Sequence, residues 1–243
     1  GCHVIIADGL KGTDEVLVPV EGGEYVKEAK IGRAFMDADV FLSLTHFKGH
    51  ESTGFGGCLK NIGMGCGSRA GKMEMHSNSK PLVKTDKCVG CRACGKNCAH
   101  GAISYGSGKA AIDEQKCVGC GRCIGACPVD AIQCRWDEAY EVLACKIAEY
   151  TKAVVDKRPC FHISLVCDVS PSCDCDSCND LPIIPDVGMF ASFDPVALDQ
   201  ACVDAVNQQS AARGSVLDEV LREQGLDEKK KEYFRTIHPD TRW

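Results

Sequence analysis

Two cysteine-rich segments that repeat one another limit what this chain can fold into more than any other feature. They span residues 88–98 and 117–127, and both have the spacing C-x2-C-x2-C-x3-C. Pro128 follows the second segment, whereas Ala99 stands at the same place after the first. The similarity extends beyond the cysteines at a constant offset of 29 residues, as from Cys88 to Cys117. The two segments are therefore predicted to fold alike.

The spacing of these cysteines predicts iron–sulfur ligation. Three thiolates two residues apart can surround one corner of a cubane, while the fourth cysteine lies too far round and binds the other cluster. Zinc also binds C-x2-C pairs, but it does not require the tandem pattern. We therefore predict two [4Fe-4S] clusters, one held by Cys88, Cys91, Cys94 and Cys127, the other by Cys117, Cys120, Cys123 and Cys98.

The rest of the composition is that of a globular protein with reduced thiols. The chain has 243 residues, 44% of them hydrophobic and 26% charged, which is enough to bury a core. Its 19 cysteines would suit a disulfide scaffold only in a short secreted chain, so a reducing cytoplasm is expected. A net charge of −6 without a basic block argues against nucleic-acid binding. No apolar run approaches the roughly 20 residues of a membrane span.

Strand-like and helix-like segments alternate on both sides of the cysteine repeat. Short apolar or alternating runs predict strands, at His3–Ala7, Glu15–Val20, Asp39–Phe47, Phe161–Val166 and Val187–Ala191. Apolar residues at three-to-four spacing predict helices, at Lys30–Ala38, Asp137–Asp156, Val196–Val206 and Val216–Gln224. Asp194 and Pro195 form a favourable helix start.

This alternation predicts an α/β fold with a mostly parallel sheet. The cysteine repeat resembles a bacterial two-cluster ferredoxin and is predicted to be inserted into that fold. We therefore expect a first part of the α/β domain at residues 1–80, the ferredoxin insertion at 81–135, and the second part at 136–243. Five further cysteines fall in apolar patterns and are expected to be buried: Cys134, Cys145, Cys160, Cys167 and Cys202.

A glycine-rich run, THFKGHESTGFGGCLKNIGMGC at residues 45–66, is too rich in glycine to predict a good helix. It follows a predicted strand, as does the polar loop at 170–180, and loops after strands gather at one edge of an α/β sheet. The two loops could supply a third metal or cluster site from Cys66, Cys173, Cys175, His46, His50 and His76. The alternative is that the glycines serve turns, Cys66 is buried and the 173–176 loop is solvated.

Basic residues of the 45–76 region allow a weaker prediction. Lys48, Lys60, Arg69 and Lys72 could attract an anionic ligand, although a solvated basic face is the preferred interpretation. No nucleophile elbow, catalytic triad or dinucleotide-binding fingerprint is visible.

Nearly the whole chain resembles a prokaryotic family of iron–sulfur-centre proteins that is classed as a domain of unknown function and contains an embedded ferredoxin. The resemblance rests on four strings of the sequence: LTHFKGHESTGFGGCLKNIGMGCGSRAGKMEMHS, SPSCDCDS, PIIPDVGMFAS and DPVALDQACVD. It implies that sequence extends upstream of Gly1 and downstream of Trp243, so that the chain is expected to be either an internal fragment or a sequence whose ends were not recorded. Positions 46, 50, 66, 76, 173 and 175 match the family, whereas Cys58 and Cys178 look like additions.

Three functions remain open at this stage. The first is low-potential one-electron transfer to or from a redox partner protein. The second is a reductase that uses those electrons at a third metal or substrate site between the 45–76 and 170–180 loops. The third is a non-catalytic metal-handling or assembly factor. Electron transfer follows most directly from the residues, because no residue set identifies a substrate.

Overall fold

The computed structural model describes residues 1–77, 80–226 and 232–241. These residues form a mixed α/β structure with small sheets. They divide into two compact units, the first comprising Gly1–Ala38 and Cys66–Ala139, the second Asp39–Gly65 and Tyr140–Trp243. The predicted insertion at 81–135 lies entirely within the first unit.

The strands and helices occur in the following order along the chain. The strands are β1 (Glu15–Pro19), β2 (Glu28–Gly32), β3 (Phe41–His46), β4 (Lys48–His50), β5 (Gly54–Gly56), β6 (Leu82–Val83), β7 (Ile103–Ser104), β8 (Ala111–Ile112), β9 (Ile132–Gln133), β10 (Cys160–Val166) and β11 (Gly188–Ser192). The helices are α1 (Arg33–Met36), α2 (Cys58–Cys66), α3 (Arg69–His76), α4 (Ala93–Lys96), α5 (Arg122–Ala126), α6 (Tyr140–Val155), α7 (Pro195–Asn207), α8 (Val216–Glu223) and α9 (Tyr233–Ile237).

The cysteine repeat folds as two copies of one strand–helix–strand unit. Strand β6 pairs antiparallel with β9, and β7 pairs antiparallel with β8. Shifting β6 and β7 by 29 residues gives β8 and β9, so the sequence offset is also an offset between structural elements. A small core beneath the strands contains Ala110, Ala131 and Ile132 together with cysteines of both copies.

The remainder of the first unit is a hairpin with two short helices. Strands β1 and β2 are antiparallel, and the Lys30 ammonium joins β2 to α3 through a 2.8 Å salt bridge to Glu74. Helix α3 begins after Ser68, whose hydroxyl accepts a hydrogen bond from the N–H of Gly71, as expected of an N-cap.

Two of the predicted elements in the first unit are wrong. Residues 1–6 form neither helix nor strand, and Val4, Ile5 and Ile6 are exposed, because no described strand pairs with them. Lys30–Ala38 is not one helix: it contains the end of β2 and the four-residue α1. Ala29 and Ile31 alternate with less buried residues along β2, so the period-two pattern determined the structure there.

A three-stranded sheet lies at the centre of the second unit. Its order is β11-β10-β3, with β10 parallel to β3 and antiparallel to β11. The prediction of a mostly parallel sheet is therefore not confirmed, since β3–β10 is the one parallel pairing among the described strands. The strand boundaries predicted near Phe41, Cys160 and Gly188 hold to within two residues.

The buried face of this sheet includes several polar side chains as well as the apolar Phe41 and Val166. Ser43 and Thr45 of β3 are buried beside His162 and Ser164 of β10. The hydroxyl of Ser43 lies 2.8 Å from Nδ1 of His162, and the hydroxyls of Thr45 and Ser164 are 2.9 Å apart. These hydrogen bonds satisfy the three hydroxyls and the Nδ1 atom of His162, whereas the Nε2 atom of His162 is buried without a hydrogen-bond partner among the described residues. By contrast, Leu42 and Leu44 of β3 are exposed, so only one face of β3 is buried.

Helix α2 corrects the prediction that the 45–66 run is too rich in glycine for a helix. A Cβ atom added to Gly63 would lie 2.2 Å from the carbonyl oxygen of Ile147 in α6. The hydroxyl of Thr151 in α6 donates to the Leu59 carbonyl of α2 at 2.7 Å. Glycine therefore allows the two helix backbones to approach closely, and this packing outweighs the low intrinsic helix propensity of glycine.

The helices predicted in the C-terminal part are confirmed, but most of the predicted cysteine burial is not. The Asp194 carboxylate accepts hydrogen bonds from the N–H groups of Val196 and Ala197 at the start of α7. Of the five cysteines expected to be buried, Cys202 is buried, Cys145 is exposed and the other three are half-buried. The buried face of α6 includes residues 143, 147 and 150, which leaves position 145 on the opposite side. No described helix is both long and apolar enough to cross a membrane.

Candidate functional site

Two small cavities in the first unit are each lined by four cysteines. One is lined by Cys88, Cys91, Cys94 and Cys127. The other is lined by Cys117, Cys120, Cys123 and Cys98. Each cavity thus receives three cysteines from one repeat and the last cysteine from the other repeat. Both groups of four are the groups that the spacing predicts.

Left-handed backbone positions shape the loops around these cavities, and they repeat at the same offset. Gly90 has φ +67° and Gly119 has φ +74°, a conformation that glycine adopts without strain. The residues that precede α4 and α5, Arg92 and Gly121, have φ values of 64° and 65°. The first repeat therefore holds a non-glycine residue in the conformation that the second repeat gives to glycine.

Hydrogen bonds from the protein point at the cysteine sulfurs. The N–H groups of Ala102 and Ala131 donate to Cys98 and Cys127 at 3.4 and 3.2 Å, and these two bonds are related by the repeat. The N–H of Ala110 donates to Cys88 at 3.4 Å. Such donors stabilise negative charge on sulfur, whether on a free thiolate or on a sulfur that ligates a cluster.

The hydrogen bonds and the burial shift cysteine pKa values in opposite directions. Backbone N–H donors from Ala110 and Gly90 lower the pKa of Cys88. Burial, followed by the charges of Cys117 and Cys120, raises the pKa of Cys123 to about 12. A metal ion that bound these sulfurs would remove their protons and relieve the mutual repulsion.

Tyr105 is a further polar contact of the first cavity. Its hydroxyl lies 3.2 Å from the Sγ atom of Cys94 and accepts a hydrogen bond from the N–H of Gly95 at 2.9 Å. Burial and the contact with Cys94 raise the pKa of Tyr105, so the phenol keeps its proton and can donate to sulfur. The sequence interpretation did not identify this residue, because it lies between the two cysteine motifs.

The residues predicted to form a third site are distributed over both units. His46, His50, Cys173 and Cys175 belong to the second unit, whereas Cys66 and His76 belong to the first. Cys66 is buried, and the ring of His76 lies edge-on to that of Trp136, with 4.4 Å between ring centres. Within residues 1–77, 80–226 and 232–241, no group of three or more His, Cys, Asp or Glu side chains is arranged to hold a single metal ion, at this predicted third site or elsewhere.

Within the second unit, Cys173 lies in a cationic environment. Its Sγ atom accepts a hydrogen bond from the Lys60 ammonium at 2.9 Å and from the thiol of Cys175 at 3.0 Å. Burial by itself would raise the pKa of Cys173, but hydrogen bonds from His50, Lys60 and Cys175 lower it to about 6. Burial and the neighbouring Cys173 sulfur raise the pKa of Cys175 to about 11. Cys173 is therefore the thiolate of the pair and Cys175 the thiol.

The backbone fixes the orientation of the His50 ring. Its Nδ1 atom accepts hydrogen bonds from the N–H groups of Ser52 and Thr53 at 3.0 and 3.1 Å. The proton of the neutral ring is consequently on Nε2, which leaves this nitrogen to donate to Cys173. The N–H of Cys173 faces the Glu51 carboxylate at 3.4 Å.

Gly49 allows strand β4 to approach the loop that contains Cys173. Its N–H donates to the Ser170 carbonyl at 2.8 Å, and a Cβ atom here would lie only 1.8 Å from the carbonyl oxygen of Pro171. Any larger residue would push β4 away from the loop that contains Cys173.

His46 belongs to a separate polar group. Its Nδ1 atom lies 2.9 Å from the Asp174 carboxylate, and its Nε2 atom lies 2.9 Å from the Cys167 carbonyl. The Lys48 ammonium, which is buried, reaches the Asp174 carboxylate at 3.1 Å and donates to the side-chain Oδ1 of Asn61 at 2.9 Å. Both ring nitrogens of His46 are thus engaged by protein groups, and Lys48 is not part of the solvated basic face that the sequence favoured.

Asp199 fixes the start of α2, the helix that presents Lys60 to Cys173. Its two carboxylate oxygens accept hydrogen bonds from the N–H groups of Cys58 and Leu59. Burial raises the pKa of Asp199 to about 6. The carboxylate at the helix N-terminus satisfies two unpaired donors there. The sequence interpretation missed Asp199, and for Lys60 it predicted attraction of an anionic ligand rather than a contact with Cys173, because both side chains bond to residues more than 100 positions away.

A family model matches residues 1–204 of the chain, and its description is "Domain of unknown function (DUF362)". Since the match covers most of the 243 residues, the chain belongs to the DUF362 family. No curated protein matches the chain.

Proposed function

We propose that this member of the DUF362 family is an iron–sulfur protein that carries two [4Fe-4S] clusters for low-potential one-electron transfer. The observation that supports this most strongly is the pair of cavities, each lined by three cysteines of one repeat and the last cysteine of the other. This crossed arrangement is the ligation scheme of two-cluster ferredoxins. We accordingly interpret residues 81–135 as a ferredoxin-type segment.

The donor set fits such clusters. Eight cysteines surround two separate spaces, and backbone N–H groups donate to three of the sulfurs. One cluster would be held by Cys88, Cys91, Cys94 and Cys127. The other cluster would be held by Cys117, Cys120, Cys123 and Cys98. Bound clusters supply reversible one-electron transfer at potentials that hydrogen bonds and solvent exposure adjust. The protein contributes these hydrogen bonds and restricts access of water.

The partner is proposed to be a redox protein that gives or takes single electrons. Val89 and Val118, which occupy equivalent places in the two cysteine loops, are exposed beside the cavities. Electron-transfer partners form small, transient interfaces, which suits a limited contact near either cysteine loop. Reduced thiols in this number suit a cytoplasmic location.

Anaerobic metal analysis combined with a redox titration tests the proposal. We expect about eight irons and eight inorganic sulfides per chain, and two signals that are reduced reversibly by one electron each. Stoichiometric zinc in place of iron, or iron that cannot be reduced and reoxidised, would rule out electron transfer.

A second candidate function is a reductase that delivers electrons to a substrate or third metal centre at Cys173. The specific observation in its favour is the thiolate of Cys173, which contacts Lys60, His50 and Cys175. A low-pKa thiolate is both a nucleophile and a soft metal ligand. A cysteine with only a structural role would not need three hydrogen-bond donors to stabilise a thiolate charge.

Comparison of metal contents distinguishes the two candidates. If a third centre is present, the chain contains about twelve irons, or zinc in addition to about eight irons, and the extra metal disappears in Cys173→Ser. The exposed Cys178→Ser provides the matched control in the same loop. About eight irons and no zinc in both wild type and Cys173→Ser would eliminate the third metal centre.

A further inference from the structure

A third cavity of the first unit lies beside one of the cysteine-lined cavities and is not accounted for by it. Its volume is about 500 Å³, within the range of small-molecule sites. Cys98 and Arg122 line both this cavity and the smaller one that contains Cys117, Cys120 and Cys123. A molecule bound in the larger cavity would therefore lie next to a proposed cluster ligand.

The walls of the cavity are positively charged. Four basic residues line it, namely Lys11, Arg69, Lys96 and Arg122, and none of the lining residues carries a carboxylate. Among the described residues, none of the four forms a salt bridge with a carboxylate. An acidic group lies close to Arg69, since the Asp8 Oδ2 and the Arg69 Nε lie 3.1 and 3.2 Å from the position of a Cβ added to Gly12. Asp8 does not line the cavity, and four cations without a lining carboxylate make the cavity attractive to anions.

The place where the first repeat lacks the proline that follows the last cysteine of the second repeat is found at this cavity. Ala99, where the second repeat has Pro128, lines the wall together with Asn97. Alanine keeps a backbone N–H that proline would lack. The first repeat thus retains a neutral hydrogen-bond donor among the cationic side chains.

We propose that this cavity binds a small organic or inorganic anion that has at least two negative charges on phosphate or carboxylate groups. Two arginines and two lysines suit such groups, because guanidinium pairs with planar or tetrahedral oxyanions and ammonium acts as a point charge. The binding is expected to depend on the redox state of the adjacent cluster, and this second part rests on the proposed electron-transfer function. Reduction adds a negative charge near Cys98 and thereby weakens anion binding. By linkage, the anion makes that cluster harder to reduce.

The test combines calorimetry with potentiometry on the anaerobically purified full chain. Pyrophosphate and citrate are titrated separately at constant ionic strength, and the better binder identifies the phosphate or the carboxylate class. One site per chain is expected. The double variant Lys96→Gln/Arg122→Gln should weaken the affinity at least tenfold. Lys87→Gln is the matched control, because it removes an exposed lysine beside the cluster cysteine Cys88 but outside this cavity.

Saturating anion should lower the potential of one of the two clusters and leave the other nearly unchanged. A tenfold difference in affinity between oxidised and reduced protein corresponds to about 59 mV for one electron. Absence of binding, or equal binding by wild type and the double variant, overturns the site. Specific binding without a change of potential overturns the coupling alone. If the anion binds specifically to a protein that has no reducible clusters, the anion site stands. In that case both the coupling and the proposed electron-transfer function fail.

Discussion

The Nζ atom of Lys60 lies 2.9 Å from the Sγ atom of Cys173, although 113 residues separate the two in sequence. Lys60 is held by α2, whose start Asp199 fixes, while Cys173 lies in a loop that Gly49 allows to come close. The contact therefore depends on several independent features of the second unit. It turns an ordinary cysteine into a thiolate at neutral pH.

The first prediction concerns the ionisation of Cys173. Its thiol should titrate near pH 6, and Lys60→Met should raise that midpoint by about one unit or more, because an opposite charge in contact is lost. The measurement is a pH titration of the 13Cβ signal in protein labelled at the cysteine side chains, assigned through Cys173→Ser. Lys152→Met, an exposed lysine of α6, is the control. A wild-type midpoint near the ordinary thiol value would contradict the prediction.

The same ionisation predicts the sign of a stability change. Between about pH 6 and pH 9 the folded protein has lost the proton that the unfolded chain retains. The contribution of Cys173 to the free energy of unfolding therefore increases with pH across this window, and it is lost as pH falls through about 6. The difference in thermal midpoint between wild type and Cys173→Ser should accordingly grow from pH 6 to pH 9.

The second prediction tests the crossed ligation of the clusters by counting iron in double variants. The double variant Cys98→Ala/Cys117→Ala removes two ligands of the same proposed cluster and none of the other, so about four irons should remain. Cys98→Ala with Cys88→Ala alters both cavities, so little iron should remain. If each repeat instead held its own cluster, these two outcomes would be exchanged. Circular dichroism confirms that each double variant is folded before its iron is counted.

The third prediction concerns the hydrogen bond between Tyr105 and Cys94. Tyr105→Phe removes a hydrogen-bond donor to the Cys94 sulfur. Loss of this donor disfavours the more negative reduced state and so lowers the reduction potential of the cluster proposed to be bound by Cys94. A net hydrogen bond is worth about 1 kcal/mol, which for one electron is roughly 40 mV, so a decrease of up to that size is expected. Spectroelectrochemistry measures it, and Tyr140→Phe in the second unit should change nothing. An unchanged or raised potential in Tyr105→Phe would be inconsistent with the proposed role.

The fourth prediction compares two glycines of the same helix. Gly63→Ala should destabilise the protein by about 1 to 3 kcal/mol, because its Cβ would overlap the α6 backbone. Gly65→Ala should be neutral or stabilise by up to about 1 kcal/mol, because that position is exposed and open. Thermal unfolding followed at 222 nm measures both variants. Equal effects would show that helix propensity, rather than close packing, determines the role of these residues.

Local rules predicted the elements whose cause is local. The α7 start at Asp194 and Pro195 is fixed by one side chain that bonds to nearby N–H groups, and strand β1 lies in the short apolar run that predicts it. Where the cause lies elsewhere in the chain, the same rules failed. Apolar character alone does not make residues 3–7 a strand without a neighbouring strand, and Gly63 is compatible with a helix only because α6 packs against it.

The sequence by itself determined the grouping of the eight cysteines, because the reach of a short loop decides which thiolates can surround one space. That grouping reappears in two separate cavities of the fold. Only the tertiary structure decided which charges surround Cys98 and Cys173. Lys11 and Arg69 line the cavity at Cys98, and His50 and Lys60 contact Cys173, from distant parts of the chain. Electrostatic interactions depend on distance in space, so the spacing of residues along the chain could not have shown them.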